Sequence, residues 1–329
     1  MLFNLLKEKM RQRIRQKLMY RLKNKMNVRI NTLKESNIMN NINTNKSSTL
    51  CMVAIFKNES HILKEWLEHY ISEGVDKFFL IDNGSTDNYR EIINPYILNN
   101  KVDLVIDATR FSQNKLYNKH FLKKCKMYDW VVVADLDEFI YARKDCNKIT
   151  DYLNRLNNII SQVFIPWKMF GSNGKKTLNV EQPTNVIESF TKRANYNKNR
   201  NFKSVIVKNN IRYIYAKCIV RSKYLIKLNI HTHSTSNNNY ITCNNKIDNI
   251  HHNKKNFVKI NENVVNNSYL HLNHYAIQSF SWFMKIKSTR GDATVNNNVR
   301  NEKYFRMYDN FSSDIDDFEL FNKWKLNNN

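Results

Sequence analysis

Glycine and proline are scarce in this chain, at five and three residues of 329. That excludes collagen-like repeats and Pro/Gly-rich low-complexity sequence. Cysteine is also sparse: Cys51, Cys125, Cys146, Cys218 and Cys243 are odd in number, widely spaced and without a C-x-x-C pair. Such a set is no disulfide framework and suits a reducing compartment. No apolar run reaches 18 residues, so no membrane-spanning helix is expected, and the N-terminus lacks the unbroken apolar stretch of a secretory signal. The expectation is a cytoplasmic chain, peripheral at a membrane face at most. Asparagine, by contrast, is the commonest residue at 53, and lysine is abundant. Drift towards AT-rich codons explains both, so Asn-rich loops carry no functional weight. With 42% apolar and 12% aromatic residues, the chain can bury a sizeable core as one large domain or two small ones.

The formal net charge is +24, unevenly spread. Residues 1–30 hold ten basic residues and one acidic residue, 31–150 hold 16 of each, 151–270 hold 19 and five, and 271–329 hold eight and seven. A uniform drift to lysine would not leave 120 neutral residues between two basic stretches. Basic surfaces imply anionic partners: nucleic acid, acidic lipid, or phosphorylated or acidic substrates. Within residues 1–30, Phe3, Leu6, Met10, Ile14, Leu18, Leu22 and Met26 form one apolar stripe between lysines and arginines. This basic amphipathic helix suits a membrane interface; contact with its own domain, a partner or nucleic acid are the alternatives. Residues 31–48 read as a linker.

From residue 49, apolar strands alternate with helical periods. Strands are expected at Leu50 to Phe56, Phe78 to Ile81, Val102 to Ile106, Trp130 to Ala134 and Val163 to Trp167. Helices are expected from Glu59, capped by Asn58, to Gly74, then to about Tyr96, from Ser112 to Tyr128, and over 148–158. This order predicts an α/β fold with a doubly wound, mostly parallel sheet. Ligands in such sheets bind beyond the C-terminal strand ends. Phe56 to Glu59, Asp82 to Asp87 and Asp135 to Glu138 all fall there and would form one site.

Asp135 and Asp137 bracket Leu136 at the end of a Val-Val-Val strand. In extended backbone their side chains point the same way. Two adjacent carboxylates repel unless a cation lies between them, and Mg²⁺ or Mn²⁺ suits oxygen ligands shared with substrate phosphates. The plainer reading is an Asp pair that ends a strand and caps a helix.

The series Asn58-Glu59, Trp66, His69-Tyr70, Gly74, Asp82 to Asp87, and Asp135-Leu136-Asp137-Glu138-Phe139 resembles the GT-A glycosyltransferases. It looks most like the family 2-related group that includes glycosyltransferase family 92. The likeness continues in Trp167 to Gly174, Lys203 to Val207, and His274-Tyr275, Ser279, Phe283, Lys285 and Arg290-Gly291. It implies a Rossmann-like GT-A domain over 49–300, with a nucleotide-sugar half (49–166) and an acceptor half (167–300), before a tail at 301–329. It further implies that Asp135 and Asp137 hold Mn²⁺ or Mg²⁺ against the diphosphate of a nucleotide-sugar, a UDP-sugar foremost. Asp82 would contact the nucleotide beside Asn83, where relatives often carry a second Asp. Glu59 would bind the nucleotide or support the first helical turn.

Gly171 lies in what resembles the loop beside donor and acceptor, and two of the five glycines fall within its four residues. GT-A enzymes often add a late histidine to the metal shell; His231, His233 and His274 are the candidates, with His274 in the family-like His-Tyr motif preferred. His231, His233, Cys243, His251 and His252 match no standard zinc spacing. Lys203 and the basic residues after it face either an acidic acceptor or diphosphate, or solvent. Residues 277–290 read as a helix whose Lys285, Lys287 and Arg290 reach phosphates or line a solvated face. An inverting transfer of a hexose to a glycan, lipid or protein acceptor needs a base. Between 171 and 292 the only acidic residues are Glu181, Glu188, Asp248, Glu262 and Asp292, with no Glu-Asp pair. Glu188 by position and Glu138 by nearness to the metal are the candidates. Two rival readings are a nucleic-acid-binding protein or metal-dependent nuclease, and an inactive scaffold of the same fold. Nucleic acid is disfavoured because the carboxylate pair sits in the neutral stretch.

Overall fold

The computed structural model describes residues 38–39, 47–177, 185–198, 200, 202–247, 250, 256–290 and 300–328. The expected helix at 1–30, most of the linker, and Glu181, Asp248, His251, His252, Gly291 and Asp292 lie outside the described residues. Eight strands form the main path of an 11-stranded sheet. They are β1 (Leu50–Phe56), β2 (Lys77–Asp82), β3 (Val102–Ile106), β4 (Trp130–Val133), β5 (Glu138–Ala142), β6 (Gln162–Met169), β7 (Ile211–Arg221) and β8 (Leu270–His274). Their spatial order is β3-β2-β1-β4-β7-β6-β8-β5.

The first four strands are parallel, with β1 between β2 and β4. Their continuous apolar runs suit burial on both faces. Leu50, Met52, Ala54 and Phe56 pack on the face that holds Ile62, Leu63, Trp66 and Tyr70 of the helix Ser60–Ser72. Cys51 and Val53 face the opposite layer, with Leu116, Tyr117 and Phe121 of the helical stretch 113–125. The period of two along one strand therefore feeds two helical layers, which is the doubly wound arrangement. Beyond β4 the sheet is mixed: β7 runs antiparallel to both β4 and β6, β6 and β8 are parallel, and β5 closes the far edge antiparallel to β8.

Several local expectations shift. The helix expected over Ser112 to Tyr128 is two pieces, Gln113–His120 and Leu122–Cys125. The helix expected over 277–290 shrinks to a short turn, Phe280–Trp282, that widens into a π-helix over Phe283–Lys287. Asn58 does not cap the first helix. It adopts φ +52° and its Oδ1 accepts from the Thr86 amide (2.7 Å), while Asp87 Oδ2 accepts the Ser60 amide (2.8 Å) at the helix start. Negative charge at that end is favourable to the helix dipole. Gly74 ends the same helix at φ +91°, a conformation glycine adopts without a Cβ penalty.

The stretch 301–329, expected as a tail, is folded onto the domain as the helix Glu302–Phe311, the strand Ile315–Asp316 and the helix Glu319–Asn328. Buried Lys168 of β6 pairs with Asp317 at 2.8 Å, and Arg193 joins Asp317 (2.7 Å) and Glu262 (2.9 Å). Gly171 lies under this segment. A Cβ there would collide with Ser313 Oγ and lie 2.9 Å from the Ser312 carbonyl, so close approach of backbone explains this glycine.

His69 of the first helix is buried, and its Nε2 donates to the Ile140 carbonyl at 2.8 Å. Burial pushes its pKa down from 6.5 to about 3. The folded state holds the ring neutral, so unfolding takes up a proton below pH 6.5 and the ring's contribution to stability falls as pH drops towards 3. Urea unfolding of wild type and His69→Gln at pH 8, 6 and 5 tests this. The stability gap between them should narrow by about 1.4 kcal/mol per pH unit below pH 6.5. A gap that does not move with pH would contradict a neutral buried ring.

Candidate active site

Asp135 to Glu138 form a turn, closed by the Glu138 amide donating to the Asp135 carbonyl at 3.0 Å, not the extended segment expected. Leu136 still enters the core at 1% exposure. The first helix fixes this turn with polar edges of its apolar stripe. Trp66 Nε1 donates to the carbonyls of Asp135 and Glu138 at 3.2 Å each, and the Tyr70 hydroxyl donates to the Glu138 carbonyl at 2.9 Å.

The two aspartates differ in their surroundings. Asp135 Oδ2 pairs with Lys217 Nζ at 3.1 Å and its Oδ1 accepts from Gln113 Nε2 at 3.2 Å. Lys217, fully buried on β7, pairs equally with Glu138 Oε2 at 3.1 Å, and the same oxygen accepts the Asp135 amide at 2.9 Å. Burial alone would lower the Lys217 pKa, but Asp135 and Glu138 raise it above the ordinary range. Burial pushes Glu138 upwards, and the paired Lys217 ammonium pulls it back towards the ionised form. Asp137 is 1% exposed; Lys287 donates to its Oδ2, while its Oδ1 has no hydrogen-bond partner among the described residues and lies 3.7 Å from His274 Nε2. Burial opposes ionisation of Asp137, yet Lys287 and His274 hold it well below the usual carboxylate range. Burial lowers His274 to about 4, so its ring is neutral near pH 7 and can act as a ligand.

Asp135, Asp137, Gln113, His274 and Lys287 line a cavity of about 670 Å³ at the C-terminal ends of β1, β2 and β4. The loops after β1 and β2 are tied together, with the Asn58 amide donating to Ser85 Oγ at 3.0 Å and the Asn83 amide to the Phe56 carbonyl at 2.9 Å. Asn83 Nδ2 also donates to the Asp107 carbonyl at 2.7 Å, which draws in the segment after β3. Across the cavity, Arg290 pairs with Glu59 at 2.8 Å and donates to the Asn58 carbonyl at 2.9 Å. On the β6 and β7 side, Trp167 packs on His274 (centroids 4.2 Å apart) and Tyr215 stacks on His231 (4.9 Å).

Of the residues singled out in the sequence, Glu59, Asn83, Asp135, Asp137, Lys203, His231, His274, Lys285, Lys287 and Arg290 line this cavity. Asp82, Glu138, Glu188, Gly171 and His233 do not, and His233 is buried with its ring against the Cys218 carbonyl. Asp82 is buried at the end of β2, where it accepts from the Ser85 amide and the Tyr89 hydroxyl at 2.8 Å each, so it shapes the turn. Glu138 has 0% exposure and is locked to Lys217, out of reach of an acceptor proton. Glu188 is exposed on the short helix Val186–Ser189, away from the cavity lining. Gly171 packs under the C-terminal segment instead of beside a ligand. His231 Nδ1 donates to the Ala216 carbonyl at 3.0 Å; His274 is the histidine set against Asp137. The sequence suggested Lys217 only as one of the basic residues after Lys203 that face an acidic acceptor, diphosphate or solvent, whereas it is buried between Asp135 and Glu138; Gln113 was not singled out. The signal for Lys217 was present, because one lysine inside Ala216-Lys217-Cys218-Ile219-Val220 must find a counter-charge if that strand is buried.

Among the described residues, no group of three or more His, Cys, Asp or Glu side chains is placed to enclose a metal ion. A Mg²⁺ or Mn²⁺ ion does not need one, since it binds through one or two protein groups and fills its shell with phosphate oxygens and water. The unpartnered Asp137 Oδ1 beside His274 Nε2 fits that kind of site.

The sheet with its paired-aspartate turn at the strand ends is a mixed α/β fold with a strand-end cavity. A sequence profile of glycosyltransferase family 92 matches residues 46–315, and the chain belongs to that family. Two curated relatives are family 92 proteins of Ricinus communis (24% identical over 139 residues, 40% of this chain) and Oryza sativa subsp. japonica (26% over 107 residues, 29% of this chain). The matches span only 24% and 17% of those relatives' lengths. Among solved structures, S. aureus TarS 1–349 aligns with a TM-score of 0.32 at 17% identity, covering 54% of this chain and 48% of that one. Glucosyl-3-phosphoglycerate synthase of Mycobacterium tuberculosis, in complex with Mn²⁺ and UDP-glucose, aligns at 0.24 and 15%, covering 37% and 44%.

Lys217→Met tests the buried triad. It leaves Asp135 and Glu138 facing each other without a counter-ion and should cost about 3–5 kcal/mol in chemical unfolding. Lys217→Met with Glu138→Gln should recover a large part of that loss. Equal stability of the single variant and wild type would show that the ammonium is not the counter-ion.

Proposed function

We propose that this chain is a metal-dependent glycosyltransferase. It moves a hexose from a nucleoside-diphosphate sugar, a UDP-sugar foremost, to a glycan, lipid or protein acceptor in one inverting displacement. The observation that carries this reading is Asp137, buried and with one oxygen unpartnered beside His274, in the strand-end cavity of a family 92 chain. Asp137 and His274 would hold Mn²⁺ or Mg²⁺, which supplies a Lewis acid for the leaving diphosphate when bound. The joined loops at Asn58 and Asn83 form the nucleotide side. Lys285 and Arg290, the latter bonded to the Asn58 carbonyl, would supply fixed positive charge where the diphosphate develops negative charge. Arg290 is held in place by Glu59 before any substrate arrives. In this reading the acceptor enters on the side of Trp167, Tyr215 and Lys203, which line the same cavity. Lys203 at that mouth, in a stretch rich in basic residues, favours acceptors that carry acidic groups. The basic stripe at 1–30 would add contact with an anionic membrane face, on its sequence pattern alone.

The test is release of nucleotide from UDP-, GDP- and CMP-sugars with Mn²⁺, beside Asp137→Ala. One donor should be hydrolysed slowly, and the variant should lose about a hundredfold or more of that rate. Hydrolysis that is unchanged in Asp137→Ala would sink the assignment of the site.

A further inference from the structure

The two aspartates are each neutralised by a lysine, but the two lysines are not equivalent. Lys217 is 0% exposed and pinned between two carboxylates at 3.1 Å each. Lys287 lines the cavity, has a 13% exposed side chain, and has one carboxylate partner among the described residues, Asp137. It is carried on the π-helical turn Phe283–Lys287, three residues before Arg290, which is clamped by Glu59 and the Asn58 carbonyl. The anchor of this segment is therefore Arg290, and Lys287 is the member with a flexible four-carbon stem and room to swing. Asp137 Oδ1, on the other side of the same carboxylate, is buried with no hydrogen-bond partner among the described residues and faces His274 Nε2.

A divalent ion at Asp137 and His274 would place a second cation on a carboxylate that already holds an ammonium. One carboxylate does not compensate three positive charges, so the ammonium is driven off. The strongest acceptors then within the cavity are the oxygens of a bound diphosphate, which prefer a charged donor. Resting on the metal-dependent reading above, we propose that Lys287 and the divalent ion exchange at Asp137. In the free protein Lys287 is the counter-ion of Asp137. On loading, the ammonium transfers to the diphosphate of the donor, so the same residue opposes metal binding before the nucleotide arrives and supports nucleotide binding afterwards.

The exchange predicts shifts of opposite sign, which loss of a merely structural contact would not produce. Mn²⁺ retention by the full chain without nucleotide is read from the electron paramagnetic resonance of free Mn²⁺. Lys287→Met should bind Mn²⁺ about tenfold more tightly than wild type, as a charge-assisted competitor is removed. With Mn²⁺ saturating, the same variant should bind UDP about tenfold more weakly by calorimetry. Lys287→Arg keeps a cation on Asp137 and should retain wild-type Mn²⁺ affinity. Lys287→Gln should reproduce the methionine result and serves in its place if that variant does not fold. Mn²⁺ binding in the uncharged variants that equals or falls below wild type, including no retention by either protein, overturns the proposal. Failure of wild type to bind UDP with or without Mn²⁺ would instead remove the glycosyltransferase reading, while the Mn²⁺ comparison still decides the exchange.

Discussion

A single buried ammonium organises the centre of this protein. Lys217 has no access to solvent and sits between Asp135 and Glu138. Charge removed from water is costly unless it is paired and its hydrogen bonds are filled. Here the requirement is met in three dimensions at once: β7 brings the cation, β4 ends in the first carboxylate, and β5 starts with the second. The turn that carries Asp137 is consequently fixed before any ligand is present, and Trp66 and Tyr70 brace its carbonyls from the helical layer. Glu138, attractive as a base from its position, is committed to that scaffold.

The far side of the cavity is built by a different device. Lys168, Arg193, Asp317 and Glu262 form a partly buried ionic cluster that fastens the segment after residue 300 to β6. Tyr304 and Tyr308 from that segment reach the cavity lining, and Gly171 is small so that Ser312 and Ser313 can approach. The wall beside His274 thus depends on residues that composition alone would set aside as a tail.

Much of the first half was legible because its strands are buried on both faces, and unbroken apolar runs such as Leu50 to Phe56 and Trp130 to Val133 have few other uses. The strand-end clusters were legible for the same reason, since polar residues directly after such strands mark where the sheet opens. What the sequence concealed is the spatial order. Nothing in Ile211 to Arg221 says that this strand inserts between β4 and β6, and nothing in Glu138 to Ala142 says that it leaves its neighbours for the far edge. Without that order Asp82 and Asp137 look alike, although one is consumed by Tyr89 and Ser85 and the other is left with a free oxygen. The helix expected over 277–290 failed because its apolar spacing serves a π-helical turn and a short cap at Ser279.

The insertion of β7 also bears on how the chain reaches this state. Asp135 and Lys217 are 82 residues apart in sequence, and β5 must pair with β8 across a still longer interval. Contacts of this range are slow to form because loop closure precedes the gain. Until β7 docks, Glu138 has no counter-charge and the edge of β4 is unpaired. A division of the chain near residue 166 cuts through this sheet, so a fragment ending there would expose the edge of β4 and leave Glu138 without Lys217.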